Sequence, residues 1–323
     1  MIFVPIMESA TLDAVGPRVA EAAIGSTPLT YFPTPYEEMR LKPYGIADSR
    51  RNRMEFRKLG RLQVAAIGLG TARTFDVAST HDIAVRRQII DQCLTHQVTL
   101  IDSSPMYGRS EDVIGRTTEG RREHFQLATK VWCQGQAQGE AQIAQSFRRL
   151  KTTYIDVLQI HNLLDWRTHL VTLERLRDQG SIGVIGITHY STSAYPTMLE
   201  IMRSGRIDTI QIPYHVGERS CEAKVLPVAE ERGIGVIVME PLAKGRYAKG
   251  LRRPSDLAPL AAFGIHTWAQ ALLVWVLGDP RISVAIPATS RPERLEENAH
   301  AGAIGRLPQE LRDYIRQETE RCL

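Results

Sequence analysis

From residue 54 onward the chain alternates short apolar runs with longer amphipathic stretches. The runs are VAAIGLG, VTLID (98–102), FQLATKV (125–131), YIDVLQIH (154–161), IGVIGIT (182–188), DTIQIP (208–213), GVIVME (235–240) and ISVAIP (282–287). Between them lie helix-like stretches such as AVRRQIIDQCLTH, AQIAQSFRRLK, HLVTLERLRDQG, EAKVLPVAEERG and WAQALLVWVLG. Near-continuous Val and Ile imply strands buried on both faces, as in parallel sheets covered by helices. Eight such units over residues 54–323 predict an α/β fold, a closed (β/α)₈ TIM barrel. An open doubly wound sheet is the competing architecture, but it would announce itself with G-x-G-x-x-G after the first strand. The stretch here, GLGTAR, lacks the third glycine. EFRKLGRLQ, just before the first unit, reads as a short hairpin turning at Gly60.

Residues 1–53 break the rhythm. They hold six of the 17 prolines, a density that predicts an N-terminal extension, loosely ordered or wrapped on the barrel. At 323 residues the chain suffices for one large domain, and 43% hydrophobic with 24% charged residues is the composition of a globular protein. The net charge of +4 is spread along the chain, which argues against nucleic acid as a partner. The longest apolar run, ALLVWVL from Ala271, is too short for a membrane span. The start, MIFVPIMESATLD, has neither the basic region nor the cleavage site of a signal peptide. SRRNRMEF is similar to a twin-arginine signal but is followed by no apolar run. Cys93, Cys133, Cys221 and Cys322 are scattered, with no C-x-x-C pair, which fits free thiols in the cytoplasm and no metal site.

Polar residues gather where the strands end. Asp102 closes VTLID, with Tyr107 in the glycine-containing loop behind it; Lys130, His161, then Thr188 and His189, then Gln211 follow in order. Active sites of such barrels lie at the carboxyl ends of the strands. A tyrosine of ordinary pKa near 10 is a weak acid at neutral pH, and a neighbouring ammonium should lower that pKa. Asp102 would hold Lys130 charged, and His161 would orient a reacting oxygen. Taken singly, each has a plainer reading: a structural ion pair, a packing tyrosine, a rim histidine. Gly108 would let the chain turn, and Ser110 would cap the helix begun by RSEDVIG.

Residues 54–323 resemble the aldo-keto reductase superfamily. The matching pieces are GLGTA (68–72), IDSSPMYGRSEDVIG (101–115), FQLATKV (125–131), YIDVLQIHN (154–162) and IPATSRPERLEEN (286–298). The resemblance implies a barrel that binds a nicotinamide cofactor, usually NADPH with NADH possible, and a catalytic tetrad of Asp102, Tyr107, Lys130 and His161. It implies cofactor contacts at Gly70 and Thr71, at Thr188, His189 and Gln211 around the carboxamide, and at Pro241, Leu242 and Lys244 along the pyrophosphate. Thr289, Ser290 and Arg294 would meet a 2′-phosphate, and Glu297 and Asn298 the adenine. Three positions depart from the family pattern: Thr188-His189 where Ser-Asn is common, Met239 where an aromatic can stack on nicotinamide, and Ala288 where some members carry lysine.

The expected function is NADPH-dependent reduction of an aldehyde or ketone to an alcohol, with Tyr107 as the general acid. Met106, Trp132, Leu163, Leu164 and Trp166, just past strand ends, would line an apolar pocket for a small-molecule carbonyl substrate, and residues 246–266 would form a nearby loop. Two rivals are a catalytically quiet, cofactor-sensing binding protein on the same fold and a barrel enzyme acting on phosphorylated substrates. Substrate identity, reaction direction and oligomeric state are not legible in the sequence.

Overall fold

The computed structural model describes residues 53–323. All but the last residue of the proline-rich stretch expected at 1–53 lie outside the described residues.

The chain enters through an antiparallel hairpin, β1 (Phe56–Leu59) and β2 (Leu62–Ala65), paired from Phe56↔Ala65 to Leu59↔Leu62. Eight parallel strands follow in sequence order. They are β3 (Leu69–Gly70), β4 (Leu100–Asp102), β5 (Gln126–Val131), β6 (Ile155–His161), β7 (Ile182–Thr188), β8 (Thr209–Pro213), β9 (Gly235–Met239) and β10 (Val284–Ala285). Parallel bridges Ile67↔Ala285 and Gly70↔Ala288 join the first strand to the last and close the cylinder. Gly70 is needed there for close approach: a Cβ would lie 2.6 Å from the Ile286 carbonyl oxygen. The eight apolar runs are therefore the eight barrel strands. The first is shorter than VAAIGLG suggests, because Val64 and Ala65 pair within the hairpin.

Every residue of β6 and β7 is buried, as their unbroken apolar runs require. Helices such as Thr80–Thr95, Gln136–Arg149 and Trp268–Leu277 cover the outer faces. Inside, alternation along each strand sends every second side chain toward the axis. Leu100, Ala128, Val157, Val184, Ile237 and Val284 make one apolar layer, which Leu59 and Val64 of the hairpin join. The hairpin thus packs its buried face against the barrel interior. Residues 246–266 are not bare loop. They include the short helices Arg246–Lys249 and Ala258–Phe263, and the C-terminal helix Gln309–Cys322 binds them through Asp256 N–H to Glu318 (2.8 Å) and Arg252 N–H to the Cys322 carbonyl (2.8 Å).

Candidate active site

Two residues up each strand from the apolar layer, the inward positions turn polar. Leu100 is followed by Asp102, Ala128 by Lys130, and Val157 by Gln159 and then His161. The same period of two that buries the barrel core therefore aims these groups at one rim. Lys130 pairs with Gln159 in register and His161 with Thr188, itself level with Gln211.

Asp102 and Lys130 form a buried ion pair, 2% and 1% exposed. The ammonium lies 2.7 and 2.9 Å from the two carboxylate oxygens and 2.7 Å from the Ser103 carbonyl. Those three acceptors match its three hydrogens. Two amides complete the carboxylate: Gln159 Nε2 donates to Oδ1 (3.3 Å) and Gln211 Nε2 to Oδ2 (3.4 Å), while Gln159 Nε2 also lies 2.8 Å from Gln211 Oε1. Burial pushes the Asp102 carboxyl above its usual range, and Lys130 and the two amides pull it back.

Gln159 was not singled out in the sequence. Its signal was there: in YIDVLQIH it is a polar residue on the inward face of a Val/Ile strand, two positions before His161. Gln211 is drawn into the same network and has both ends of its amide engaged.

The loop after β4 carries Tyr107 over this pair. Tyr107 N–H donates to the Ser104 carbonyl (3.0 Å) and Ser110 N–H to the Tyr107 carbonyl (3.1 Å), a compact double turn. Gly108 makes it possible on two counts: its φ is 60°, and a Cβ would meet the Asp76 carboxylate at 2.4 Å. Ser110 does not cap the following helix, Ser110–Thr117; it is the first helical residue, and Arg109 precedes it without a side-chain cap. The cap is unnecessary because the loop supplies partners, with Asp76 Oδ1 taking the Arg109 N–H at 3.0 Å. Glu111 anchors the helix to β5 by accepting the Thr129 hydroxyl (2.6 Å).

The Tyr107 ring stands perpendicular to the His161 ring, centroids 6.0 Å apart, and lies 5.5 Å from the Lys130 ammonium. The four residues meet at one rim. The expected drop in the phenol pKa does not occur. Burial raises it above the ordinary value, and Lys130 offsets part of that rise. Burial, helped by Lys130 and His189, pushes His161 down to about 3, so its imidazole is neutral across the physiological range. Its Nδ1 lies 3.0 Å from the Ser104 hydroxyl. Trp132, 41% exposed, stands 6.5 Å from the His161 ring, and Met106 is equally open, so the rim beside the tyrosine is apolar and accessible.

The remaining predicted positions spread around the mouth. Thr71 is buried under Asp102, its hydroxyl donating to the Asp102 carbonyl (2.8 Å). Thr188 is buried at the end of β7, and half-buried His189 takes the Ser191 N–H on Nδ1 (3.0 Å). Pro241, Leu242 and Lys244 lie in a turn where Glu240, Ala243 and Lys244 all have positive φ, and Lys244 pairs with Glu240 at 3.1 Å. Thr289 is buried and holds the Arg291 N–H (3.0 Å), while Ser290 is exposed. Arg294 and Glu297 pair along one face of the helix Pro292–Ala301 beside buried Asn298. The second Glu297 oxygen, Oε1, is buried with no hydrogen-bond partner among the described residues, an acceptor left open for an N–H group.

The closed parallel barrel thus carries an Asp–Lys pair, a tyrosine and a neutral histidine together on one rim. Comparison with known proteins gives the lineage. The family model of the aldo/keto reductase family matches residues 66–319, and the chain belongs to that family. It is similar to methylglyoxal reductase YeaE of Escherichia coli, 29% identical over 249 residues (74% of this chain, 86% of that protein). It is also similar to aldo-keto reductase YhdN of Bacillus subtilis, 31% identical over 285 residues (73% and 84%). A solved aldo-keto reductase from Klebsiella pneumoniae, in complex with NADPH, superposes with a TM-score of 0.71 at 27% identity, covering 82% of this chain and 94% of that one. The chain is thus an oxidoreductase of this family. Among its described residues no helix is long and apolar enough to cross a membrane, and no three His, Cys, Asp or Glu side chains form a metal-binding group.

Proposed function

We propose that this protein is an NADPH-dependent reductase that converts an aldehyde or ketone to an alcohol, with Tyr107 as the general acid. The observation that carries the reading is the convergence of Tyr107, His161 and the buried Lys130–Asp102 pair at an accessible rim. The Klebsiella neighbour's bound NADPH supports the choice of cofactor. The residues fit such a dinucleotide: the orphaned Glu297 oxygen suits an adenine amino group, and exposed Arg294 with Ser290 at a helix start suits a phosphate. Glu297 and Asn298 would hold adenine, and Thr289, Ser290 and Arg294 the 2′-phosphate end. Pro241, Leu242 and Lys244 would follow the pyrophosphate. Thr188, His189, Gln211 and Met239 would surround the nicotinamide, above Gly70 and Thr71.

When bound, the reduced cofactor supplies a hydride for the carbonyl carbon. The chain supplies the proton. Its raised pKa keeps Tyr107 protonated at neutral pH, so the acid is present whenever a substrate arrives. The Lys130 charge, with its hydrogens directed to Asp102 and Ser103, acts on Tyr107 through space and favours the phenolate left after transfer. His161, neutral, orients the substrate oxygen without competing as an acid. Trp132 and Met106 favour an apolar carbonyl compound and exclude water from one side of it.

Residues 54–323 serve as the catalytic domain in this reading, with 1–53 appended. The four free thiols support a cytoplasmic setting. The test is a panel of aldehydes and ketones followed by NADPH oxidation, with NADH alongside, for the wild type and Tyr107→Phe. Reduction by the wild type alone, with NADPH still bound by the variant, is expected. Cofactor binding without turnover would favour the sensing protein, and no nicotinamide binding would favour a barrel enzyme on phosphorylated substrates.

A further inference from the structure

The Ser104 hydroxyl is fully buried and has two partners. The Met106 N–H reaches its oxygen at 3.4 Å, and Nδ1 of His161 lies 3.0 Å away. A backbone N–H can only donate, so it occupies a lone pair of the serine oxygen. The hydroxyl proton then requires an acceptor, since a buried donor left unpaired is costly, and Nδ1 is the acceptor within reach. An imidazole that accepts on Nδ1 and is neutral carries its one proton on Nε2. In the opposite tautomer the serine oxygen would face two N–H donors while its own proton had no partner.

The surroundings make the tautomer matter. His161 is faced by the Lys130 ammonium, by His189 and by the Tyr107 phenol, with Trp132 on its open side. The cationic neighbour and burial hold the ring neutral, so it presents one donor and one acceptor rather than two donors. Which of the two faces the rim decides whether the ring attracts or repels a carbonyl oxygen.

We propose that Ser104 is a positioning residue that locks His161 in the Nε2–H tautomer, so that the ring offers a hydrogen-bond donor to the substrate oxygen beside Tyr107. The ring state stands independently of the reductase reading, whereas its kinetic consequence rests on it. Each is therefore measured separately.

The first measurement is ¹⁵N NMR of the histidine rings in the labelled full-length wild type at neutral pH, with the His161 signals identified by their loss in His161→Gln. A neutral ring protonated on Nε2 is expected; protonation on Nδ1 overturns the proposal without any variant of Ser104 having to fold. The second compares Ser104→Ala with Ser104→Thr. Alanine should turn His161 into a tautomer mixture and lower kcat about tenfold, with NADPH affinity unchanged. Threonine, which keeps the hydroxyl, should restore both. An unchanged tautomer in Ser104→Ala, or a changed tautomer with unchanged kcat, refutes the positioning role. Should the wild type show the Nε2–H ring yet reduce no carbonyl compound, the reductase reading falls and the assignment of the ring state stands.

Discussion

Around Asp102 the polar side chains are buried and hydrogen-bond one another across strands; beside Asn298, the exposed Arg294 guanidinium pairs with Glu297 along a single helix turn. The first group draws on β4, β5, β6 and β8, and its members reach their partners only because β4 to β8 are in register, with β7 between the last two. The second lies within ten residues of chain on one helix, where Arg294 and Glu297 face each other at i, i+3. In the proposed function the two groups have different tasks. Proton transfer gains from groups held in place and shielded from water, where charge acts strongly. Binding and releasing a charged cofactor gains from side chains that can exchange one partner for another. The buried end should therefore tolerate substitution poorly, and the helix end should respond mildly and in proportion to salt.

The largest break in that comparison is Lys130→Met. It leaves the Asp102 carboxylate buried without its counter-charge, and loss of one member of such a pair costs about 3–5 kcal/mol. Carbonyl reduction should fall at least ~10³-fold together with the melting temperature. A variant as stable as the wild type would show that the pair contributes nothing to the fold.

Next is Tyr107→Phe, which removes the acid but no part of the buried network. A kcat loss on the order of 10³ is expected with little change in stability or in NADPH affinity by nicotinamide fluorescence. The wild type's high phenol pKa adds a pH signature. If Tyr107 is the acid, its protonated form is the active one and burial raises its pKa, so kcat/KM should stay flat through neutrality and decline only above the ordinary tyrosine range. An alkaline limb well below that would show Lys130 outweighing burial in the working enzyme.

At the helix end, Arg294→Ala should weaken NADPH about tenfold and NADH hardly at all, an effect that shrinks as ionic strength rises. Equal losses for both cofactors would remove the 2′-phosphate role.

The last effect is on acid stability rather than on turnover. His161 has its folded pKa depressed to about 3 from an ordinary 6.5, so between those values the unfolded chain binds the extra proton. Its contribution to stability is complete above pH 6.5 and is lost progressively as pH falls toward 3. Denaturant midpoints for His161→Gln should decline less steeply than the wild type's across that window; parallel curves would mean the histidine is not buried neutral.

Much of this was open to a reader of the residues. The eight apolar runs announced eight strands, and Asp102, Lys130 and His161 were visible as polar residues closing them. Tyr107 was visible because a glycine beside it marked the turn. Gln159 and Ser104 were missed for different reasons. Gln159 sits inside a strand rather than at its end, so only the inward alternation marks it. Ser104 is one of two adjacent serines, and nothing local distinguishes the one that touches His161 from Ser103, whose carbonyl holds Lys130. The cap expected at Ser110 is absent because the helix begins at that residue, and Asp76 holds the N–H of Arg109 just before it.

Local order along the chain determined the strand count, the parallel sheet and which groups would stand at the rim, because side-chain direction in a strand follows from position alone. What only the folded barrel decided is the state of those groups. Burial raised the Tyr107 phenol, neutralised His161 and directed the Lys130 hydrogens to Asp102 and Ser103, and desolvation depends on what packs around a residue, which no stretch of neighbouring sequence specifies.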